Sequence, residues 1–247
     1  ISVCKDEHIR IAEKLFSPKI IENMNRRIIK LVPNRGRDVA PLLVGFNEEQ
    51  KDYDLVCHIH TKKSVHFDWG IKWSEYLTEN LISSSAIKNI VQEFENDKNL
   101  GIVYPPIYKG IYNFWNNNNL NQMGVRGLIE VCSSLLSKMN INKKVDRYSL
   151  YYSVGNMFWY RPDALKPLFN MGLKYSDFPE EPIQVDGTIA HAIERLHSIV
   201  ADSRGFKTLF YINSSELKNE YYENVLLGKT KDSNSSNEII ANQIDSF

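Results

Sequence analysis

Residues 53–66 read YDLVCHIHTKKSVH. An apolar run, Leu55, Val56 and Cys57, leads into His58, Ile59 and His60, and then into Thr61, Lys62, Lys63 and Ser64. Alternation along a strand sends His58 and His60 to one side and Ile59 to the other. Two imidazoles on one face can ligate a divalent metal or hydrogen-bond a phosphate. Lys62 and Lys63 add positive charge suited to a pyrophosphate, and His66 is a weaker addition. The plain alternative is one core histidine, one surface histidine and two solvated lysines.

A second group, Asn34-Arg35-Gly36-Arg37-Asp38, follows the apolar run at 28–32. Gly36 permits a tight turn, and such a turn brings backbone N–H groups and two guanidinium groups to the end of a strand. Arginine forks pair with phosphate or carboxylate. The competing reading is a turn whose arginines pair with surface acids. A third group is Gly155-Asn156 followed by Met157, Phe158, Trp159, Tyr160 and Arg161. Glycine lets a ligand approach the backbone, and flat aromatic faces such as Trp159 suit sugar rings. A core strand bulged at Gly155 explains the same residues. In the fourth group, Glu180, Glu181 and Asp186 crowd the start of a helical stretch that carries His191, Glu194 and Arg195. A carboxylate within reach of a hydroxyl acts as a general base; a carboxylate at a helix start also serves simply as a cap. Arg195 is suited to orienting such a carboxylate.

These residues need elements to hold them. Short apolar runs at 1–4, 28–32, 55–59 and 100–104 predict strands, and 150–160 is expected to be another. Helical periodicity is expected over 5–27, broken at Ser17-Pro18, and over 73–82, 85–94 and 127–139. Helices are also expected at 38–46, with Asp38 as a cap, at 162–169 and at 186–196. The asparagine-rich stretch 113–119 is expected to be a loop, and 229–237 a solvated linker. Strands alternating with helices, and lacking internal polar alternation, predict an α/β sheet covered on both faces.

Composition narrows the partners. The chain has 30 basic and 30 acidic residues among 247, so bulk charge favours neither nucleic acid nor an anionic membrane. Its 3 cysteines are widely spaced, which fits buried free thiols in a reducing compartment. No apolar run reaches the length of a membrane span. The first residue is Ile, in what reads as a strand under way, so the chain is expected to be cut from a longer protein.

The motifs VPNRGRDVAPLL, YDLVCHIHTKKS, LGIVYPP, GNMFWYRPDAL and FPEEPIQVDGTIAHAIERL, in this order, resemble the rhamnan synthesis protein F family. The resemblance implies a bacterial glycosyltransferase of cell-envelope polysaccharide synthesis. It further implies a distant likeness to inverting enzymes of the GT-A fold: a Rossmann-like, three-layer α/β/α domain with a mostly parallel central sheet. This domain is expected over 1–213, with a C-terminal helical or linker extension over 214–247. Asn34, Gly36 and Ala40 are similar to the N-x-G-x-x-x-A turn of those enzymes. His58-Ile59-His60 stands where they carry a metal-binding D-x-D, a departure that matters because Mg²⁺ and Mn²⁺ prefer carboxylate oxygens. Whether a divalent cation is needed therefore stays open, with His58 and His60 as its only candidate ligands.

On this reading Asn34, Arg35, Gly36, Arg37, Asp38, His58, His60, Lys62 and Lys63 hold the diphosphate of a dTDP-, UDP- or GDP-linked sugar. Gly155, Asn156 and Trp159 place a sugar. Asp186 is the preferred base, with Glu181 and His191 beside it. The implied partners are a nucleotide sugar, a glycan acceptor that is often lipid-linked, and other domains of a longer synthesis protein. The implied location is the cytoplasm, or the inner face of the membrane as a peripheral protein. A rival expectation is a non-catalytic carbohydrate-binding or scaffold domain derived from a transferase.

Overall fold

A computed structural model describes residues 1–17, 25–61, 70–117, 128–145, 152–184 and 186–213. Lys62, Lys63, His66 and the 214–247 extension, including the expected linker, lie outside the described residues.

Two short strands at the beginning pair in parallel, β1 (Ser2–Val3) with β2 (Lys30–Leu31), and helix α1 (Asp6–Leu15) connects them. Among the described residues the main sheet has four strands: β3 (Val56–His58), β4 (Leu100–Tyr104), β5 (Phe158–Tyr160) and β6 (Lys207–Phe210), in the order β3-β5-β4-β6. The α/β expectation holds. The sheet is mixed, however, because β5 runs antiparallel to both neighbours and only β4 and β6 pair in parallel. A strand buried on both faces reads the same in either direction, so periodicity does not reveal its polarity.

Helices cover both faces. On one side lie α2 (Gly70–Ile82) and α3 (Ser84–Asn96), packed on Val103, Leu209 and Trp159. Ser83 caps α3 by accepting the Ala86 N–H at 3.3 Å. On the other side α5 (Ile129–Lys138) and α7 (Ile189–Ser203) pack on Ile102, Tyr104, Phe158 and Tyr160. Leu100 and Ile102 face opposite layers because a register shift falls between them. Gly101 sits at that shift, where a Cβ would lie 2.5 Å from Phe206 and 2.9 Å from Ala164.

Several expected elements differ. The helix expected at 38–46 is a short π-helical turn, Pro41–Gly45. Residues 113–117, expected in a loop, belong to α4 (Lys109–Asn117), whose start at Lys109 the asparagine content obscured. The long strand expected at 150–160 shrinks to β5, because Gly155 and Asn156 turn with φ of 104° and 53°. The stretch at 162–169 is a 3₁₀ turn, Pro162–Leu165, running into α6 (Lys166–Phe169). Asp186 precedes α7 instead of opening it; Thr188 holds the cap position, and the helix continues to Ser203. Among the described residues no helix is long and apolar enough to cross a membrane.

Candidate functional site

Strand β3 ends at His58, beside the start of antiparallel β5 at Phe158. One edge of the sheet therefore gathers the end of β3 and the turn before β5. Asp38 reaches that edge from the turn after β2. Its side chain is 14% exposed, and its Oδ2 accepts from His58 Nε2 at 3.2 Å and from the Asn156 amide. His60 Nε2 lies 3.7 Å from the same oxygen. Burial pulls the Asp38 carboxyl upward. The His58 hydrogen bond, the charges of His60 and His58 and the Asn156 hydrogen bond outweigh it and hold the group well below the usual carboxylate range. Asp38 therefore does not cap a helix, as the sequence suggested. Its carboxylate turns inward and joins three segments that are far apart in the chain.

The Gly155-Asn156 turn is fixed from both sides. The Gly155 N–H donates to Glu194 Oε1 at 3.2 Å, and its carbonyl accepts from His60 Nε2 at 2.8 Å. Asn156 is 3% exposed and adopts the left-handed conformation that Asn tolerates better than most residues.

The Asn34–Asp38 turn is strapped to residues 178–184. Arg35 and Glu180 form an antiparallel bridge, and the Glu181 N–H donates to the Asn34 carbonyl at 3.3 Å. The Arg35 guanidinium donates to the Phe178 carbonyl at 2.9 Å and to the Glu180 carboxylate. Arg35 thus follows the surface-pairing alternative. Gly36 has φ of 65°, and a Cβ there would stand 2.5 Å from the Phe178 ring. Arg37 is also left-handed, at φ 53°, and its N–H donates to Glu181 Oε1 at 3.2 Å. Its side chain is exposed, with one contact to the Gln184 carbonyl at 3.3 Å.

The start of α7 forms the acidic part. Asp186 Oδ2 accepts from Arg195 Nη2 at 3.1 Å, and Oδ1 accepts from the Gly187 N–H at 2.9 Å. Arg195 is buried; Nη1 donates to the His191 carbonyl at 2.7 Å, and the guanidinium lies 5.1 Å from the Tyr152 ring centre. His191 Nδ1 accepts from the Thr188 N–H at 3.2 Å, leaving Nε2 buried and unpartnered. Burial, with Arg37 next, pushes the His191 imidazole down to about 4. Arg37, bonded to Glu181 Oε1 and to the Gln184 carbonyl, ties the Asn34–Asp38 turn to the segment that leads into α7.

A family model described as Rhamnan synthesis protein F matches residues 6–206. The chain belongs to this family. Two curated relatives, both given as the uncharacterized protein WxcX, come from Xanthomonas campestris pv. campestris strain B100 and a second strain of that pathovar. Each is 33% identical over 180 residues, covering 70% of this chain and 24% of the relative. The chain thus spans about a quarter of the length of the curated relatives it matches. No solved structure matches it.

In this rhamnan synthesis family chain, the fold brings together Asn34, Arg35, Gly36, Arg37, Asp38, His58, His60, Gly155 and Asn156. Glu181 joins them through Arg37, and Asp186 and His191 through the start of α7. Trp159 does not join. It alternates with Phe158 to the opposite face, where its indole N–H donates to the Leu81 carbonyl at 2.9 Å. Among the described residues no group of three His, Cys, Asp or Glu side chains is arranged to hold a metal ion. His58 and His60 both turn Nε2 toward Asp38, His58 at 3.2 Å and His60 at 3.7 Å.

Sequence reasoning missed His197, and it named Glu194 without a role. His191, Glu194 and His197 recur at a spacing of one helical turn, a signal that places them along one face of α7. His197 is 2% exposed, its ring centre lies 4.6 Å from that of Phe158, and neither nitrogen has a hydrogen-bond partner among the described residues. Burial, with the His58 charge next, pushes it down to about 3.

Proposed function

We propose that this chain is a GT-A-like glycosyltransferase domain. It moves a sugar, rhamnose being the one the family description suggests, from a nucleotide-linked donor to a growing cell-surface polysaccharide. The observation that carries the reading is the convergence on one sheet edge of the Asn34–Asp38 turn, the His58–His60 strand end and the Gly155-Asn156 turn, with a carboxylate-lined helix start beside them. Open α/β sheets bind ligands at the carboxyl ends of their strands.

Arg37 is exposed and lightly bonded, which suits it to a donor diphosphate, and Lys62 and Lys63, which follow His60 in the sequence, add charge in that role. Fixed cations there stabilise the leaving group as the glycosidic bond breaks. Asp186, oriented by Arg195, takes the proton of the acceptor hydroxyl, and direct displacement inverts the anomeric carbon. The domain works in the cytoplasm, or against the inner face of the membrane on a lipid-linked acceptor, alongside the other domains of a longer protein.

The test is Asp186→Asn, assayed for transfer and for binding of dTDP-, UDP- and GDP-linked sugars by thermal shift, with and without Mn²⁺. A true donor stabilises the fold in proportion to its concentration over Kd. The variant is expected to lose transfer while binding the donor as before; retained turnover removes Asp186 from the base role. A second reading, a carbohydrate-binding scaffold domain without catalysis, draws support from the engagement of His58 and His60 by Asp38 in place of a metal. Slow donor hydrolysis by the purified domain decides against that reading.

A further inference from the structure

Glu194 stands in the first half of α7, half-buried, beside the buried Arg195. Its Oε1 accepts the Gly155 backbone N–H at 3.2 Å. A backbone N–H only donates and a carboxyl oxygen accepts here, so the sense of this bond depends on no side-chain tautomer. The turn it grips is closed locally by Ser153, whose carbonyl accepts the Asn156 N–H at 2.8 Å and whose hydroxyl donates to the Met157 carbonyl at 2.6 Å. Those bonds shape the turn; they do not fix where it sits. Placement comes from outside it: the Gly155 carbonyl meets His60, the Asn156 amide meets Asp38, and the Gly155 N–H meets Glu194. His60 and Asp38 belong to the sheet edge, whereas Glu194 reaches the turn from α7. The next residue along the helix, Arg195, holds Asp186 Oδ2 through Nη2 at 3.1 Å. Consecutive helical residues point about 100° apart, so these neighbours reach two different arms of the site. The helix that carries them is anchored in the core by Ala190, Ile193, Leu196 and Val200. Side chains mounted on a packed helix hold a site more precisely than side chains on loops.

We propose that Glu194 is a positioning residue. It sets the Gly155-Asn156 turn in register with Asp186, so that a sugar held at the turn faces the carboxylate that receives the acceptor proton. The hold on the turn stands on the contacts above; its consequence for transfer rests on the glycosyl-transfer reading.

Wild type, Glu194→Gln, Glu194→Asp and Glu194→Ala are compared at a temperature where all are folded. Glu194→Gln keeps an accepting oxygen at the same reach without the charge. Glu194→Asp keeps the charge and withdraws the oxygen by one methylene, and Glu194→Ala removes both. Hydrogen exchange of the Gly155 amide, followed by NMR, reads the turn without any ligand. It is expected to stay slow in Glu194→Gln and to become at least about tenfold faster in Glu194→Asp and Glu194→Ala. Donor turnover is then measured as release of nucleoside diphosphate from UDP-glucose, dTDP-rhamnose or GDP-mannose, whichever the wild type uses. In Glu194→Asp and Glu194→Ala kcat is expected to fall about tenfold to a hundredfold, and in Glu194→Gln by less than about threefold. Calorimetry is expected to find the affinity for the nucleoside diphosphate alone unchanged in every variant. Unchanged Gly155 exchange in Glu194→Ala overturns the proposal. So does a Glu194→Asp protein that outperforms Glu194→Gln, because the charge then acts directly. Equal loss of kcat and of nucleoside diphosphate affinity overturns it as well, because the damage is then general. If the wild type turns over none of the donors, the glycosyl-transfer reading fails, and Gly155 exchange by itself decides whether Glu194 holds the turn.

Discussion

Replacing Asp38 by Asn tests the junction on which the site depends. The carboxamide keeps the shape of the side chain and removes its charge. His60 then loses the anion 3.7 Å away, and the amide brings N–H groups toward the donors of His58 and Asn156. Leaving buried donors without their charged acceptor costs about 1–3 kcal/mol. Asp38 and His58 retain 14% and 11% side-chain exposure and Asn156 donates to the same oxygen, which places the expected loss at the upper end, about 3 kcal/mol. For a chain of this size each kcal/mol lowers Tm by about 2–4 °C, so Asp38→Asn is expected to melt about 6–12 °C lower at pH 7.

The pH dependence supplies a second, independent check. The Asp38 carboxyl sits lower in the folded protein than in the unfolded chain. Its contribution is therefore fully present above the unfolded value of about 3.9 and is lost as pH falls toward the folded value. Between pH 3.9 and pH 3 the loss is about 0.9 × 1.36, or about 1.2 kcal/mol, and Asp38→Asn lacks it. Urea denaturation at pH 7 and pH 3 should show the gap between the two proteins narrowing by that amount. A variant that melts within about 1 °C of wild type, or a gap that does not narrow, refutes the assignment of Asp38 as the charged centre of the site.

Other expectations follow from the same geometry. His197→Leu removes a buried imidazole whose nitrogens have no hydrogen-bond partner among the described residues, so stability at pH 7 is expected to be unchanged or higher. Because His197 is pushed down to about 3, the wild-type protein loses stability as pH falls from about 6.5 toward that value, and the variant should lose less; urea titrations across this range measure the difference. Gly36→Ala forces a methyl group to within 2.5 Å of the Phe178 ring at a positive φ, and is expected to lower unfolding free energy by about 2 kcal/mol or more. Burial pushes the Cys57 thiol up to about 12 and the Cys132 thiol up to about 11, while Cys4 is exposed. Mass spectrometry after brief alkylation at pH 8 should therefore find Cys4 modified at least about tenfold faster than the others, with all three modified once the chain is unfolded.

Much of the scaffold was legible in the sequence. Helices α2, α3 and α5 follow their apolar spacing, and the runs that become β3 and β4 are recognisable because burial on both faces demands continuous apolar residues. Short-range patterns failed where a distant partner set the outcome. Asp38 looked like a helix cap, yet buried histidine and asparagine donors from 20 and 118 residues away claimed its oxygen. Trp159 looked like a sugar platform until its place in the alternation of β5 packed it against α2.

The sequence by itself determined the kinds of group available: histidines at a strand end, a glycine turn flanked by arginines, carboxylates ahead of a helix. Those are local facts, set by residue type and by the conformations each residue allows. Tertiary structure alone decided how the groups are used, because a charge or a lone pair acquires its role from the atoms opposite it. The reversed β5 brings the Gly155 carbonyl to His60 and the Asn156 amide to Asp38, and residues 178–184 take up Arg35. Arg37 is thereby left exposed at the edge.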